Sequence, residues 1–135
     1  MSNITQVVNT DKNMTTLKKG VHASDLDQLL SSTGPFTMFA PLNTAFEKLE
    51  KGKMQNLLEP QNKTALTSLL SHHVVTGKIS FTDLTDGAKL KTIQGGELSV
   101  KVEGKETFID GALIHTQDIK TTNGVIHTLD AVLKN

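Results

Sequence analysis

Apolar residues follow two rhythms along this chain. As far as Gly77 they recur mostly at intervals of three and four, and after Gly87 they alternate with polar residues in short runs broken by glycine. The first rhythm predicts helices and the second predicts strands. The opening dozen residues are the exception, because "VVNTDKN" reads either as a short strand or as a frayed lead-in. A helix is predicted from Met14 to Lys19 and another over "SDLDQLL", where Ser24 can cap and Asp27 can complete a capping box. Leu26, Leu29 and Leu30 then share one face. "GPFTMFAP" predicts a strand from Phe36 to Ala40, bounded by Pro35 and Pro41. Asn43 is placed to cap the next helix, with Ala45, Phe46 and Leu49 as its inward stripe and Gly52 as its stop.

"EPQNKTALTSLLSHHVVTGK" carries the strongest helical pattern. Pro60 suits a first turn, Leu66, Leu69, Leu70 and His73 fall on one face, and Gly77 closes the segment. Ser80 and Asp83 suggest one more short turn. The runs "KLKTI", "ELSVKVEG", "ETFIDG" and "ALIHTQDI" read as strands. In one of them Leu98, Val100 and Val102 alternate with Ser99 and Lys101. A turn at Asn123-Gly124 delivers the final strand, "VIHTLDAVL". Helices in the first half and an antiparallel sheet in the second make the fold class α+β. The strand at Phe36–Ala40 must join that sheet or a partner sheet.

A chain of 135 residues is a normal size for one domain, and a domain of that size buries roughly two-thirds of its unfolded surface. There is no cysteine, hence no disulfide framework, thiol nucleophile or thiolate metal site. Fourteen lysines balance fourteen acidic residues, arginine is absent, and the charges are mixed along the chain. That pattern gives no basic patch for a phosphate backbone and no guanidinium fork for base edges, so nucleic acid is excluded as a partner. Five phenylalanines without tryptophan or tyrosine leave few platforms for stacking sugars or bases. No apolar run reaches membrane-spanning length, and the polar start "MSNITQVVNTDKN" carries no signal segment.

The histidines are the first candidates for chemistry. His72 and His73 are adjacent, so on a helix they point about 100° apart and do not share a metal easily. His73 lies on the leucine face and is expected to be buried and hydrogen-bonded, while His72 is expected at the surface or in a boundary groove. On the last strand Val125, His127 and Leu129 share one face, and Ile126, Thr128 and Asp130 share the other. His127 and Asp130 therefore form no relay by themselves. A zinc site from His73, His115 and His127 is conceivable, with Asp118 or Asp130 as an oxygen ligand, but no spacing selects for it. There is no G-x-S-x-G elbow, no phosphate-gripping glycine loop and no carboxylate pair suited to glycoside chemistry. Gly95 and Gly96 in "QGGE" read as a turn or bulge between strands.

Three segments, in order, resemble the fasciclin-like domain family: "GPFTMFAPLNTAFEKL", "LLSHHVVTGKI" and "GALIHTQDIKTTNGVIHTLDAVL". "LKTIQGGELSV" is similar to the strand region between the last two. The similarity identifies a single domain over 1–135, with its core at about 14–133. It implies a seven-stranded twisted β wedge or sandwich with a packed helical cluster, no enzymatic activity and no cofactor. It also implies a role in cell adhesion, matrix attachment or protein contacts. The partner would be a cell-surface or extracellular-matrix protein or glycan, and the parent protein would be secreted, periplasmic or surface-anchored. A short version such as this is similar to the bacterial, stand-alone type.

Carried over by position, His73 matches the family's central histidine and His127 the histidine of the closing block. With Asp130 and Asn123 they are implied to form a structural polar core. Asp118 and Ile119 match an Asp-Ile pair that serves as a receptor-binding spot in some animal members. The central block also matters for adhesion in animal members, so His72, Val74 and Val75 are further interaction candidates, although His72 stands where tyrosine is usual. The expected function is thus a non-enzymatic adhesion or surface-interaction domain. Behind it stand an apolar-ligand groove between helices and sheet and, last, a metal-dependent enzyme using His73, His115 and His127.

Overall fold

The computed structural model describes residues 3–48 and 52–133. The chain begins with three short helices, α1 (Ile4–Thr10), α2 (Thr15–Ala23) and α3 (Leu26–Leu30). The first replaces the strand or frayed lead-in expected there. Asn3 accepts from the Gln6 amide at 2.8 Å while the Gln6 side chain accepts from the Asn3 amide at 2.9 Å, a complete capping box. Ile4 and Val8, one turn apart, are both fully buried. The predicted cap at Ser24 is also corrected. Ser24 terminates α2, its hydroxyl donating to the Val21 carbonyl at 3.2 Å, and α3 is entered through Asp25 in a left-handed conformation.

Strand β1 (Phe36–Pro41) leads into α4 (Asn43–Glu47). Asn43 is not the cap of its own helix. Its side chain accepts from the Thr16 amide at 3.0 Å and donates to the Thr15 hydroxyl at 3.0 Å, so it caps the start of α2 across the fold. Ala45 and Phe46 are buried, and Leu49 lies outside the described residues. After Gly52 come α5 (Lys53–Leu57), a 3-10 turn at Pro60–Asn62, and α6 (Lys63–Ser71). The long helical segment expected through Gly77 stops earlier. The β-branched run Val-Val-Thr forms strand β2 (Val74–Thr76), which pairs antiparallel with β1. Ser80 and Asp83 form a capping box over a second 3-10 turn, Phe81–Asp83.

Five strands complete the chain before its final strand: β3 (Lys89–Lys91), β4 (Glu97–Glu103), β5 (Glu106–Ile109), β6 (Ala112–Leu113) and β7 (Ile119–Thr121), followed by β8 (Gly124–Leu129). They build two four-stranded sheets, ordered β2-β1-β8-β7 and β3-β4-β5-β6. The expected wedge of sheets with a helical cluster is therefore carried, among the described residues, by eight strands. One pairing departs from the antiparallel plan, because β1 and β8 run parallel from Phe36↔Gly124 to Pro41↔Leu129. That pairing joins strands separated by 88 positions, Phe36 to Gly124, and buries both strands on both faces. Gly124 is the residue that permits it, since a Cβ there would lie 1.8 Å from the Phe36 carbonyl oxygen.

The result is three layers: helices, the first sheet, then the second. Phe36, Met38, Ala40, Val74 and Ile126 face the helices with Ile4, Leu17, Leu30 and Leu70. Phe39, Val75 and Leu129 face the second sheet with Leu98, Val100 and Ile109. Side-chain alternation along β1 and β8 sorts the two cores. Single bridges, Val75↔Thr92 and Ile114↔Leu129, tie the sheets together.

Candidate functional site

The accessible part of the predicted interaction surface lies on β7. This strand ends the first sheet, and among the described residues nothing pairs with its outer edge. Ile119 is half-buried and packs toward the helix-side core, whereas Lys120 is exposed. Asp118, at the start of the strand, holds φ at 55°, a left-handed value that asparagine and aspartate tolerate better than most residues. Its carboxylate accepts from the Phe81 amide at 2.8 Å, and its own amide donates to Nδ1 of His127 at 3.1 Å.

His127 is fully buried and stacks on Phe39, with ring centroids 5.6 Å apart. Its Nε2 lies 2.8 Å from the Ile79 carbonyl oxygen. A carbonyl can only accept and an amide N–H can only donate, so the ring is neutral, with its proton on Nε2. Burial pushes the His127 pKa down, partly offset by the Ile79 carbonyl and the Asp118 carboxylate.

His73 works in the same way with the opposite tautomer. Its Nδ1 donates to the Leu69 carbonyl at 2.8 Å, and its Nε2 accepts from the Leu133 amide at 2.9 Å. The ring is fully buried, and burial lowers its pKa from 6.5 to about 4, with the neighbouring His72 adding to the effect and the Leu69 bond opposing it.

The expected surface position of His72 is corrected, since only 4% of this residue is exposed. The helix ends at Ser71, so the chain turns and carries both rings inward. His72 sits beneath Gly96, where a Cβ would come within 3.1 Å of the ring. The "QGGE" turn thereby makes room for it. Its Nε2 is 3.9 Å from the Asp110 carboxylate, and among the described residues its Nδ1 has no hydrogen-bond partner. Val74 and Val75 are buried as well, one in each core.

Asn123 is a buried hub. Its amide donates to the carbonyls of Leu30 at 2.6 Å and Ser32 at 2.8 Å, and its side-chain oxygen accepts from the Ile4 amide at 3.0 Å. Asp130 sits at the rim instead, with 37% of its side chain exposed. It accepts from the Leu113 amide at 3.0 Å and lies 3.8 Å from Lys48.

The three histidines of the conceivable zinc site do not converge. Both nitrogens of His73 and of His127 are occupied by backbone, and His115 is exposed and bonded to Thr116. Among the described residues no group of three or more metal-ligating side chains comes together. A cleft of about 250 Å³ does open between helices and sheets, lined by Asn13, Leu42, Asn43, Thr44, His115 and Asp130. Five of these six residues carry polar side chains, yet the surface they present is more apolar than polar. Among the described residues no helix is long and apolar enough to cross a membrane.

Sequence reasoning named Asp118, His73 and His127 as candidates, but it missed Phe81 and Ile79, whose backbone groups bond to Asp118 and His127. The capping box at Ser80 was the one local signal that this segment is ordered.

Comparison with known proteins follows the same architecture. A family profile described as "Fasciclin domain" matches residues 12–135. Protein sll1483 of Synechocystis is 38% identical over 130 residues, covering 96% of this chain and 72% of that protein. An uncharacterized protein of the same organism, sll1735, is 37% identical over 134 residues, covering 98% of each. Among solved structures, a domain pair from the insect cell adhesion molecule Fasciclin I superposes with a TM-score of 0.89 at 20% identity. The alignment covers 99% of this chain and 51% of that one, so the chain spans about half its length. This chain belongs to the fasciclin domain family.

Proposed function

We propose that this domain is a non-enzymatic adhesion module of an exported protein, whether secreted, periplasmic or surface-displayed. Its partner-facing surface is the β7 edge formed by Asp118, Ile119 and Lys120. The partner is a cell-surface or extracellular-matrix protein or glycan. The observation that carries this reading is accessibility. Of the five interaction candidates, His72, Val74 and Val75 are buried, and only Asp118 and Ile119 reach solvent. Their strand also presents an unpaired edge among the described residues, a surface that an extended segment can extend by main-chain bonding.

The test is retention of cells and of matrix-coated beads on the immobilised domain, comparing wild type with Lys120→Glu. Lys120 is exposed, so the substitution should leave stability within about 0.5 kcal/mol. Wild type should retain cells or beads, and the variant should lose about tenfold in affinity, on the order of 1.4 kcal/mol. Equal retention by both proteins would remove this edge from the interaction surface.

A further inference from the structure

The β7 edge is held from below. His127 Nε2 donates to the Ile79 carbonyl at 2.8 Å, and its Nδ1 accepts from the Asp118 amide at 3.1 Å. The Asp118 carboxylate then accepts from the Phe81 amide at 2.8 Å. One buried ring thereby stitches two surface segments, 79–81 and the entry to β7, into a closed circuit. That circuit exists only for the neutral Nε2–H tautomer. A second proton would place an N–H on Nδ1, facing the Asp118 N–H, so donor would meet donor.

The charged group facing His127 from the elements around it is Asp118. From β1 the ring meets Phe39, and from the 79–81 segment it meets a carbonyl. The side chains of Lys78 and Lys120 are exposed. A charged imidazolium would therefore draw the Asp118 carboxylate toward itself and away from the Phe81 amide. Asp118 already occupies a left-handed conformation that is sparsely populated outside glycine, so the circuit has little backbone preference to retain it.

We propose that His127 is a proton-operated clamp on the Asp118–Ile119 edge. The neutral ring holds the edge in its binding shape, and protonation releases it while the two sheets stay folded. This regulation rests on the adhesion reading given above. Both rings are buried, but Asp118 favours the charged form at His127, whereas His73 faces another histidine, which opposes it. The circuit includes neither nitrogen of His73, so its opening does not require that ring to be protonated.

The test follows the ring nitrogens of His127 and the amide exchange of Asp118 and Phe81 by nitrogen-edited magnetic resonance, from about pH 7.5 downward through the titration of the ring. The core amides of Met38 and Leu98 serve as internal references, and retention of cells or matrix-coated beads is measured over the same interval. Protection factors at Asp118 and Phe81 should fall in step with the ring titration and by more than those of the references, with retention lost in parallel. Asp118→Asn keeps an acceptor and tolerates the left-handed backbone, so it should shift both the ring titration and the loss of protection to lower pH. A ring that titrates with Asp118 and Phe81 still protected would overturn the clamp. Loss of their protection only together with Met38 and Leu98 would do the same. Retention that persists after release would overturn the regulatory role. A wild type that retains nothing at neutral pH would overturn adhesion and, with it, the regulation of binding, while the amide readout would still decide whether the clamp opens.

Discussion

His73 shows how a buried titratable residue stabilises this domain without carrying charge. Both ring nitrogens are bonded to backbone, one to the carbonyl of Leu69 and one to the amide of Leu133, so the ring ties the end of α6 to the end of the chain. Its folded pKa, about 4, lies below the ordinary value of 6.5. A depressed folded pKa means a stabilising contribution fully present above the unfolded pKa and lost as pH falls through the folded one. For this completely buried ring the loss between pH 6.5 and about 4 is on the order of 3 kcal/mol. Urea melts at several pH values should therefore show stability dropping steeply across that window. His73→Ala should cost about 2–4 kcal/mol at neutral pH and flatten the acid limb. An acid limb of unchanged slope in the variant would show that the ring does not control it.

At the scale of elements, Asn123 does comparable work between segments far apart in the chain. It closes α3 through the Leu30 and Ser32 carbonyls and opens α1 through the Ile4 amide. Asn123→Ala strands three buried or half-buried backbone groups, each worth about 1–3 kcal/mol when left unpaired. The account predicts a loss of about 3 kcal/mol overall, with amide protection in α1 reduced before that of β1. Uniform loss across both elements would argue that Asn123 acts on global stability alone.

These tertiary partners explain which elements were legible in the sequence. The alternating strands β4 and β5 and the apolar run of β1 declared themselves through side-chain period. Helix α1 was signalled only by the Asn3–Gln6 box, which a reading centred on "VVNTDKN" passes over. Strand β2 was hidden because Val74–Thr76 follow a helical leucine pattern without a break residue, and its partner Met38 lies far away in sequence. The parallel β1–β8 pairing had no local signal beyond Gly124, whose lack of a side chain becomes meaningful only once Phe36 is beside it. At the candidate site the family resemblance pointed to Asp118 and Ile119. It could not say that the chain turns sharply after Ser71 and buries His72, Val74 and Val75.

Taken whole, the molecule is a helical cluster on a sheet on a second sheet, with separate apolar cores on the two sides of β1 and β8. The two most perturbed histidines, His73 and His127, serve the backbone. With fourteen lysines against fourteen acids, long-range steering of a partner is weak, and recognition falls to local shape and contacts. In the proposed function the β7 edge supplies such contacts. The outer face of β4 offers a control, because Lys101 is exposed there and paired only with Glu103 at 2.8 Å. Cell retention by Lys120→Glu compared with Lys101→Glu, at matched melting temperature, tests the central claim most directly. The account predicts about tenfold weaker retention for Lys120→Glu and wild-type retention for Lys101→Glu. Equal retention by the two variants, or a larger loss from Lys101→Glu, would contradict it.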